Sequence, residues 1–201
     1  MISIVMPSYL GQYKRAANDR DKKIVRAILS VVRQDFTEWE LIVVADGCEK
    51  TVEIVRPFVS EKIRLFRIPK QKTWSGEVRN TGIRLALGQY CLYLDIDDAF
   101  APEHLAEIAP HLKGKAWYWM DDWEYNKQAK EFRYRKCSIT KPGKCGTSNI
   151  IHKPGIAFWN EKDTYAHDWN FINNLKRASN DFEYIKAGRY LVCHIPGRTE
   201  V

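Results

Sequence analysis

No apolar run in the 201-residue chain approaches the ~18 residues of a membrane-spanning helix. The opening stretch, MISIVMPSY, has too short an apolar run and no leading basic region for a secretion signal, so it is expected to be a first strand. The five cysteines, at positions 48, 91, 137, 145 and 193, are odd in number and scattered. That pattern argues against a disulfide framework and for reduced thiols in a cytoplasmic protein. Cys137, Cys145 and His152 match no usual zinc spacing. Internal repeats and low-complexity segments are lacking too. So are the two common phosphate-binding loops, G-x-G-x-x-G after a first strand and G-x-x-x-x-G-K-[ST]. Where the first of these would stand, the chain reads PSYLGQYK.

What the chain has in excess is positive charge, and that charge is localised. The net charge is +7. Residues 127–153 hold eight Lys/Arg and one Glu, while the rest balances at 24 basic and 24 acidic residues. Such a segment is either a solvated hairpin with a lysine-rich face or a surface for phosphates and polyanions.

The apolar pattern alternates strand and helix over about 110 residues. Strands are expected at 2–6, 39–46, 63–68 and 89–95, and helices at 22–34, 76–88 (closed by Gly88) and 101–112, with a short one before Pro57. Continuous apolar strands separated by helices imply a parallel sheet covered on both faces. After Gly114 the pattern changes. KAWYWMDDWEY and EFRYRKC read as antiparallel strands, followed by a Pro/Gly-rich loop, a helix at 167–178 and a last strand at 189–195. One α/β domain is expected over 1–201, with a nucleotide-binding half at 1–114 and an acceptor-facing half at 115–201.

In open parallel sheets, ligands lie beyond the carboxyl ends of the strands. Pro7, Ser8 and Tyr9 follow strand one there, Asp46 ends strand two, and Asp95, Asp97 and Asp98 follow strand four. Crowded carboxylates repel one another and are costly to desolvate. Two of them, one residue apart on a turn, suit a hard cation such as Mg²⁺ or Mn²⁺, which would neutralise a diphosphate. The other reading is an acidic turn in which Asp98 or Ala99 caps the next helix. In 117–125, Trp117, Trp119 and Asp121 share one strand face, and Tyr118, Met120 and Asp122 the other. Core packing suits most of these tryptophans. Asp121 or Asp122 at the strand end is expected to face an acceptor, and one aromatic ring would stack on a sugar.

Four stretches, SIVMPSY (3–9), AILSVVRQDFTEWELIVVADG (27–47), VRNTGIRLALGQYCLYLDIDD (78–98) and HDWNFINNLKR (167–177), together resemble the family 2 glycosyltransferases of the GT-A fold. The resemblance implies transfer of a sugar, with inversion, from a nucleoside diphosphate donor, a UDP-sugar first among them, to an acceptor hydroxyl. It implies a nucleoside pocket at Pro7, Ser8 and Tyr9, base recognition by Asp46, and Arg79 near the nucleotide. It also implies a D-x-D pair at Asp95 and Asp97, with Asp97 as direct ligand of Mn²⁺ or Mg²⁺, and Asp168 as catalytic base. The residues alone leave Asp168 open between base and helix-start residue. His194 would add a metal contact, Arg198 a diphosphate contact, and His167, Asp121, Asp122 and Trp119 the acceptor side. The chain departs from the family pattern with Ala45 before Asp46 and His167 in place of the usual Glu. It lacks the Q-x-x-R-W signature of processive synthases, so single-sugar transfer to a glycan or lipid-linked glycan is expected, in the cytoplasm or at the inner face of a membrane. The alternatives are glycosylation of hydroxymethylated bases in viral DNA through the basic segment, and an inactive glycan-binding domain.

Overall fold

The computed structural model describes residues 1–13, 16–72, 74–160, 166–195 and 199–200. Its centre is a seven-stranded sheet in the order β3-β2-β1-β4-β9-β6-β10. The strands are β1 (Ile2–Ser8), β2 (Trp39–Asp46), β3 (Ile63–Ile68), β4 (Tyr90–Tyr93), β6 (Trp117–Met120), β9 (Ile150–His152) and β10 (Phe182–Ile185). Only β9 runs against the others. Every residue of β1 and β2 is buried, as continuous apolar strands at the middle of a doubly covered sheet must be.

One face is covered by α1 (Arg20–Val32), whose Ile24, Ala27, Ile28 and Val31 repeat at helical spacing and join Ile4, Met6, Leu41 and Val43 in the core. The other face takes α3 (Gly76–Leu85) and α5 (His167–Ala178). Val78 of α3 packs on Ile42 and Val44, and Phe171, Ile172 and Leu175 of α5 join a core with Val5, Tyr93 and Trp117. Gly82 allows α3 this close approach: a Cβ there would lie 2.3 Å from a Val5 methyl. α2 (Glu49–Val55) runs into a 3₁₀ turn at Arg56–Phe58, as Pro57 requires.

The first-half elements are found with shifted ends: β1 runs on to Ser8, α1 begins and ends two residues earlier than expected, and β4 is shorter. Helix α3 stops at Leu85, because Ala86 is already extended, so Gly88 lies beyond it rather than closing it. The 101–112 helix is reduced to α4 (His104–Ile108) and a 3₁₀ turn around Pro110. Ala99–Phe100 instead forms β5, paired with β11 (Tyr190–Val192).

The largest departure is at Asp121–Asp122. The run WYWMDDWEYN is not one strand. Its first half is β6 in the central sheet, and from Asp122 it becomes β7 (Asp122–Asn126) in a second sheet, β5-β11-β7-β8, with β8 at Glu131–Arg135. β9 and β10, too short and mixed to stand out by pattern, complete the central sheet. A further antiparallel pair joins β12 (His194–Ile195) to β13 (Thr199–Glu200).

Gly82→Ala is expected to cost roughly 1–3 kcal/mol through overpacking against Val5, seen as a lower urea midpoint with an unchanged denaturant slope. An unchanged midpoint would contradict the contact.

Candidate active site

The parallel strands β2, β1 and β4 deliver their carboxyl ends to one edge of the sheet. At the end of β1, Ser8 shares a 3.0 Å hydroxyl contact with Thr51. Pro7 is buried within the strand, in register with Val44. Asp46, nearly buried at the end of β2, accepts the Lys70 ammonium at 2.6 Å and the Gln71 backbone N–H at 2.6 Å. The Lys70 ammonium also stands 4.4 Å from the Tyr9 ring centroid. Gly47, at φ 63°, makes this possible, since a Cβ there would strike the Lys70 backbone at 2.6 Å. Arg20 secures the loop after β1 by donating to the carbonyls of Tyr9 (2.9 Å) and Gly11 (2.7 Å).

The acidic turn after β4 is closed by the Asp98 N–H on the Asp95 carbonyl at 3.1 Å. Asp95 is partly open, with 36% of its side chain exposed, and pairs with the buried Arg79 guanidinium at 3.0 Å. Arg79 also donates to the Ser75 hydroxyl and lies 4.7 Å over the Trp159 ring. Arg26 donates to the Asp97 carbonyl oxygen at 2.6 Å. Burial, then the charge of Asp95, pushes the Asp97 carboxyl up to about 6, against the pull of Lys23 and Arg26.

Asp98 is not a helix cap. Its buried carboxylate accepts N–H donors from Cys193 (2.7 Å) and His194 (3.4 Å) and the Tyr190 hydroxyl (3.0 Å), so it ties the last strands to the turn. Tyr190 in turn accepts the Asp95 N–H at 3.2 Å. Burial and the neighbouring Asp97 and Asp95 hold Asp98 far above the usual carboxylate range. The same tie brings His194 beside the turn. Arg198 lies outside the described residues.

Asp168 sits in the first turn of α5 with a third of its side chain exposed. It accepts the Thr147 hydroxyl at 2.5 Å and lies 3.2 Å from Nε2 of His167. Burial alone would raise its carboxyl; His167, Arg79 and Thr147 outweigh that and hold it below the usual range. The His167 ring is 5.8 Å from that of Trp159. Trp159 stacks on Phe171 at 4.1 Å, donates its indole N–H to the Tyr93 hydroxyl at 3.0 Å, and exchanges backbone bonds with the Asn80 amide (2.7 and 2.9 Å). One tryptophan thus holds α3, β4 and α5 together around Arg79.

The expected acceptor residues are more inward than the sequence suggests. Asp122 has no exposed surface and is gripped by the Arg135 guanidinium, Asn149 (3.0 Å) and Ser148 (3.3 Å). Asp121, 5% exposed, accepts the hydroxyls of Tyr134 and Tyr184 and the Cys137 N–H. The aspartate pair thus clamps the point where the chain changes sheets. Trp119, half-buried, packs on Tyr184 with ring centroids 4.4 Å apart.

The profile of the family described as Glycosyl transferase family 2 matches residues 3–180. The chain belongs to this family. Among similar curated proteins, it is 33% identical over 114 residues to WcaA of Escherichia coli K12, which bears the name of a colanic acid biosynthesis glycosyl transferase; the match covers 55% of this chain and 37% of WcaA. It is 29% identical over 126 residues to the E. coli UDP-Glc:alpha-D-GlcNAc-diphosphoundecaprenol beta-1,3-glucosyltransferase WfgD, covering 62% of this chain and 46% of WfgD. The crystal structure of Staphylococcus aureus TarS 1–349 in complex with UDP-GlcNAc superposes with a TM-score of 0.73 at 18% identity, over 98% of this chain and 59% of that one. The chain therefore spans less than half the length of those two curated relatives. The likeness to TarS bears out the GT-A fold expected from the four sequence motifs.

Of the residues expected from the sequence, Tyr9 and Asp46 share Lys70, Asp95 and Asp168 share Arg79, and Ser8 and Asp97 lie at and just beyond the ends of the neighbouring strands β1 and β4. Lys70, Gln71, Thr147, Tyr190 and Trp159 were not legible in the sequence, because each becomes a neighbour only through the fold. Among the described residues no three His, Cys, Asp or Glu side chains group as a metal site by themselves. The donor chemistry of Asp95 and Asp97 still fits a hard cation, since their repulsion is only partly relieved by the surrounding bases.

Removing either partner of Asp168, by Thr147→Val or His167→Phe, is expected to raise its carboxyl pKa. Titration of the Asp168 carboxyl carbon by NMR checks this; an unmoved or lowered value would contradict the hydrogen-bond account.

Proposed function

We propose that the chain carries the donor and base sites of a non-processive, inverting glycosyltransferase that uses a UDP-sugar. The observation that supports this best is the place of Arg79. One buried guanidinium pairs with Asp95 of the acidic turn and also lowers the carboxyl of Asp168. A diphosphate leaving group and a base must flank one anomeric carbon, and a residue facing both carboxylates spans that arrangement.

In this reading Pro7, Ser8, Tyr9 and Asp46 take the nucleoside, and residues 1–114 form the donor half. Asp46 accepts the imide N–H of uracil, with Lys70 beside it for a carbonyl oxygen. Asp97, Asp95 and His194 would hold Mn²⁺ or Mg²⁺, with donor phosphates and water filling the remaining positions. A cation there supplies charge neutralisation for the departing diphosphate. Asp168 takes the proton of the acceptor hydroxyl as the hydroxyl oxygen bonds to the anomeric carbon and the bond to the diphosphate oxygen breaks. One displacement gives inversion. Its depressed pKa keeps Asp168 ionised at neutral pH, the state a base requires.

Residues 115–201 would face the acceptor. The basic segment 127–153 lies on the β7–β8 hairpin and the loop leading to Thr147, with Lys127, Lys130, Lys136, Lys141 and Lys144 exposed. That charge favours an acceptor carrying phosphate. WfgD is named for a diphosphoundecaprenol-linked sugar, and the relative TarS (27% identical over 111 residues) for poly(ribitol-phosphate). A phosphate-bearing glycan or lipid-linked glycan is therefore preferred over DNA. The cytoplasm, or the inner membrane face, is the setting this reading favours. It is compatible with five free cysteines, and no helix among the described residues is long and apolar enough to cross a membrane.

Asp168→Asn is expected to lower sugar transfer or donor hydrolysis by about 10²–10⁴-fold while the melting-temperature rise on adding UDP-sugar stays intact. Full activity in that variant would refute the base. No turnover of any donor by the wild type would favour an inactive glycan-binding domain.

A further inference from the structure

Six of the seven tryptophans are buried or partly buried. Trp74 is 52% exposed. It precedes α3, and its carbonyl accepts the Gly76 N–H at 2.8 Å, a tight turn that fixes the backbone. The start of α3 is pressed on the segment after Trp159, since a Cβ on Gly76 would lie 2.9 Å from the Asn160 carbonyl oxygen. The indole stands 5.4 Å from the His167 ring, tilted by 38°. His167 in turn reaches Asp168 at 3.2 Å. Trp74 is therefore an aromatic surface backed by the His167 ring, partly open to solvent and next to the neighbour of the candidate base.

We propose that Trp74, backed by His167, is a stacking platform for the pyranose ring of the acceptor sugar. A pyranose presents a face of axial C–H groups that packs on an indole face, burying apolar area and meeting the negative side of the ring. The position beside Asp168 would then hold one sugar hydroxyl toward the carboxylate. The donor-side groups have other neighbours: Asp46 is attended by Lys70 and Gln71, and Asp95 by Arg79. Trp74 touches instead the His167 ring beside Asp168, which places it on the acceptor side of this reading. The sequence points to an aromatic ring of 117–125 for this role, but Trp117 is buried on Phe182, Trp119 packs on Tyr184 and Trp123 meets the Tyr134 ring. The proposal rests on Asp168 marking the acceptor side.

The test compares wild type, Trp74→Ala and Trp74→Phe in saturation-transfer NMR with methyl β-D-glucopyranoside and N-acetylglucosamine, in the presence of UDP and Mg²⁺. The melting shift caused by UDP is read alongside. Binding of at least one sugar is expected in wild type, with saturation strongest on its axial C–H face. Trp74→Ala should weaken it by about tenfold, and Trp74→Phe should retain most of it, with the UDP shift equal in all three. Equal sugar binding in Trp74→Ala, or no sugar bound by wild type, overturns the platform. Loss of the UDP shift in Trp74→Ala alone assigns the ring to the donor and overturns it as well. Absence of a UDP shift in wild type would instead count against the nucleotide-sugar reading itself.

Discussion

The arrangement of the site depends on one buried carboxylate. Asp98 has almost no access to water, so its lone pairs must be met inside the protein. They are met by the N–H groups of Cys193 and His194 and by the Tyr190 hydroxyl, from strands nearly a hundred residues away. This tie fixes the shape of the turn that presents Asp95 and Asp97, and it brings β11 across to pair with β5. Arg79 on Asp95 and Arg26 on the Asp97 carbonyl hold the rest of the turn. Asp98 is thus given over to structure, while Asp95 and Asp97 keep their chemistry.

A second set of contacts joins the turn to the start of α5, where Asp168 sits. Arg79 rests on the Trp159 ring and pairs with Asp95, while Trp159 stacks on Phe171 of the helix that begins with His167 and Asp168. The guanidinium is always charged, and placing it on an aromatic face lessens the cost of its burial. Aromatic packing and charge therefore work together: the same rings that fill the core between α3 and α5 set the distance between two groups of carboxylates.

How much of this was legible in the sequence follows from where each signal resides. The strands β1, β2 and β4 are nearly continuous apolar runs, β3 is a short run broken by Arg64 and Arg67, and α1 and α5 have clean helical spacing, so local pattern sufficed. Asp46 and the Asp95–Asp98 group stood out because they directly follow such strands. The break at Asp121 did not, since WYWMDDWEYN is equally good strand sequence on both sides and only the Tyr134, Tyr184 and Arg135 contacts reveal that it changes sheets. The short β9 and β10 acquire their identity from neighbours. Asp98 looked like a cap because its true partners lie in Cys193 and Tyr190. Lys70, Thr147, Trp74 and Trp159 carry no motif; each matters through a residue distant in sequence.

The central claim is that the strand-end turn is built to receive a nucleoside diphosphate together with a cation. A thermal-shift series with UDP, GDP, CDP and dTDP, each with and without Mn²⁺, on wild type and Asp97→Asn tests it most directly, because a ligand that binds only the folded state raises the melting temperature. The account predicts a shift with UDP that is enlarged by Mn²⁺ and loses that enlargement in Asp97→Asn. Equal, metal-independent behaviour of the two proteins with every nucleotide would contradict it.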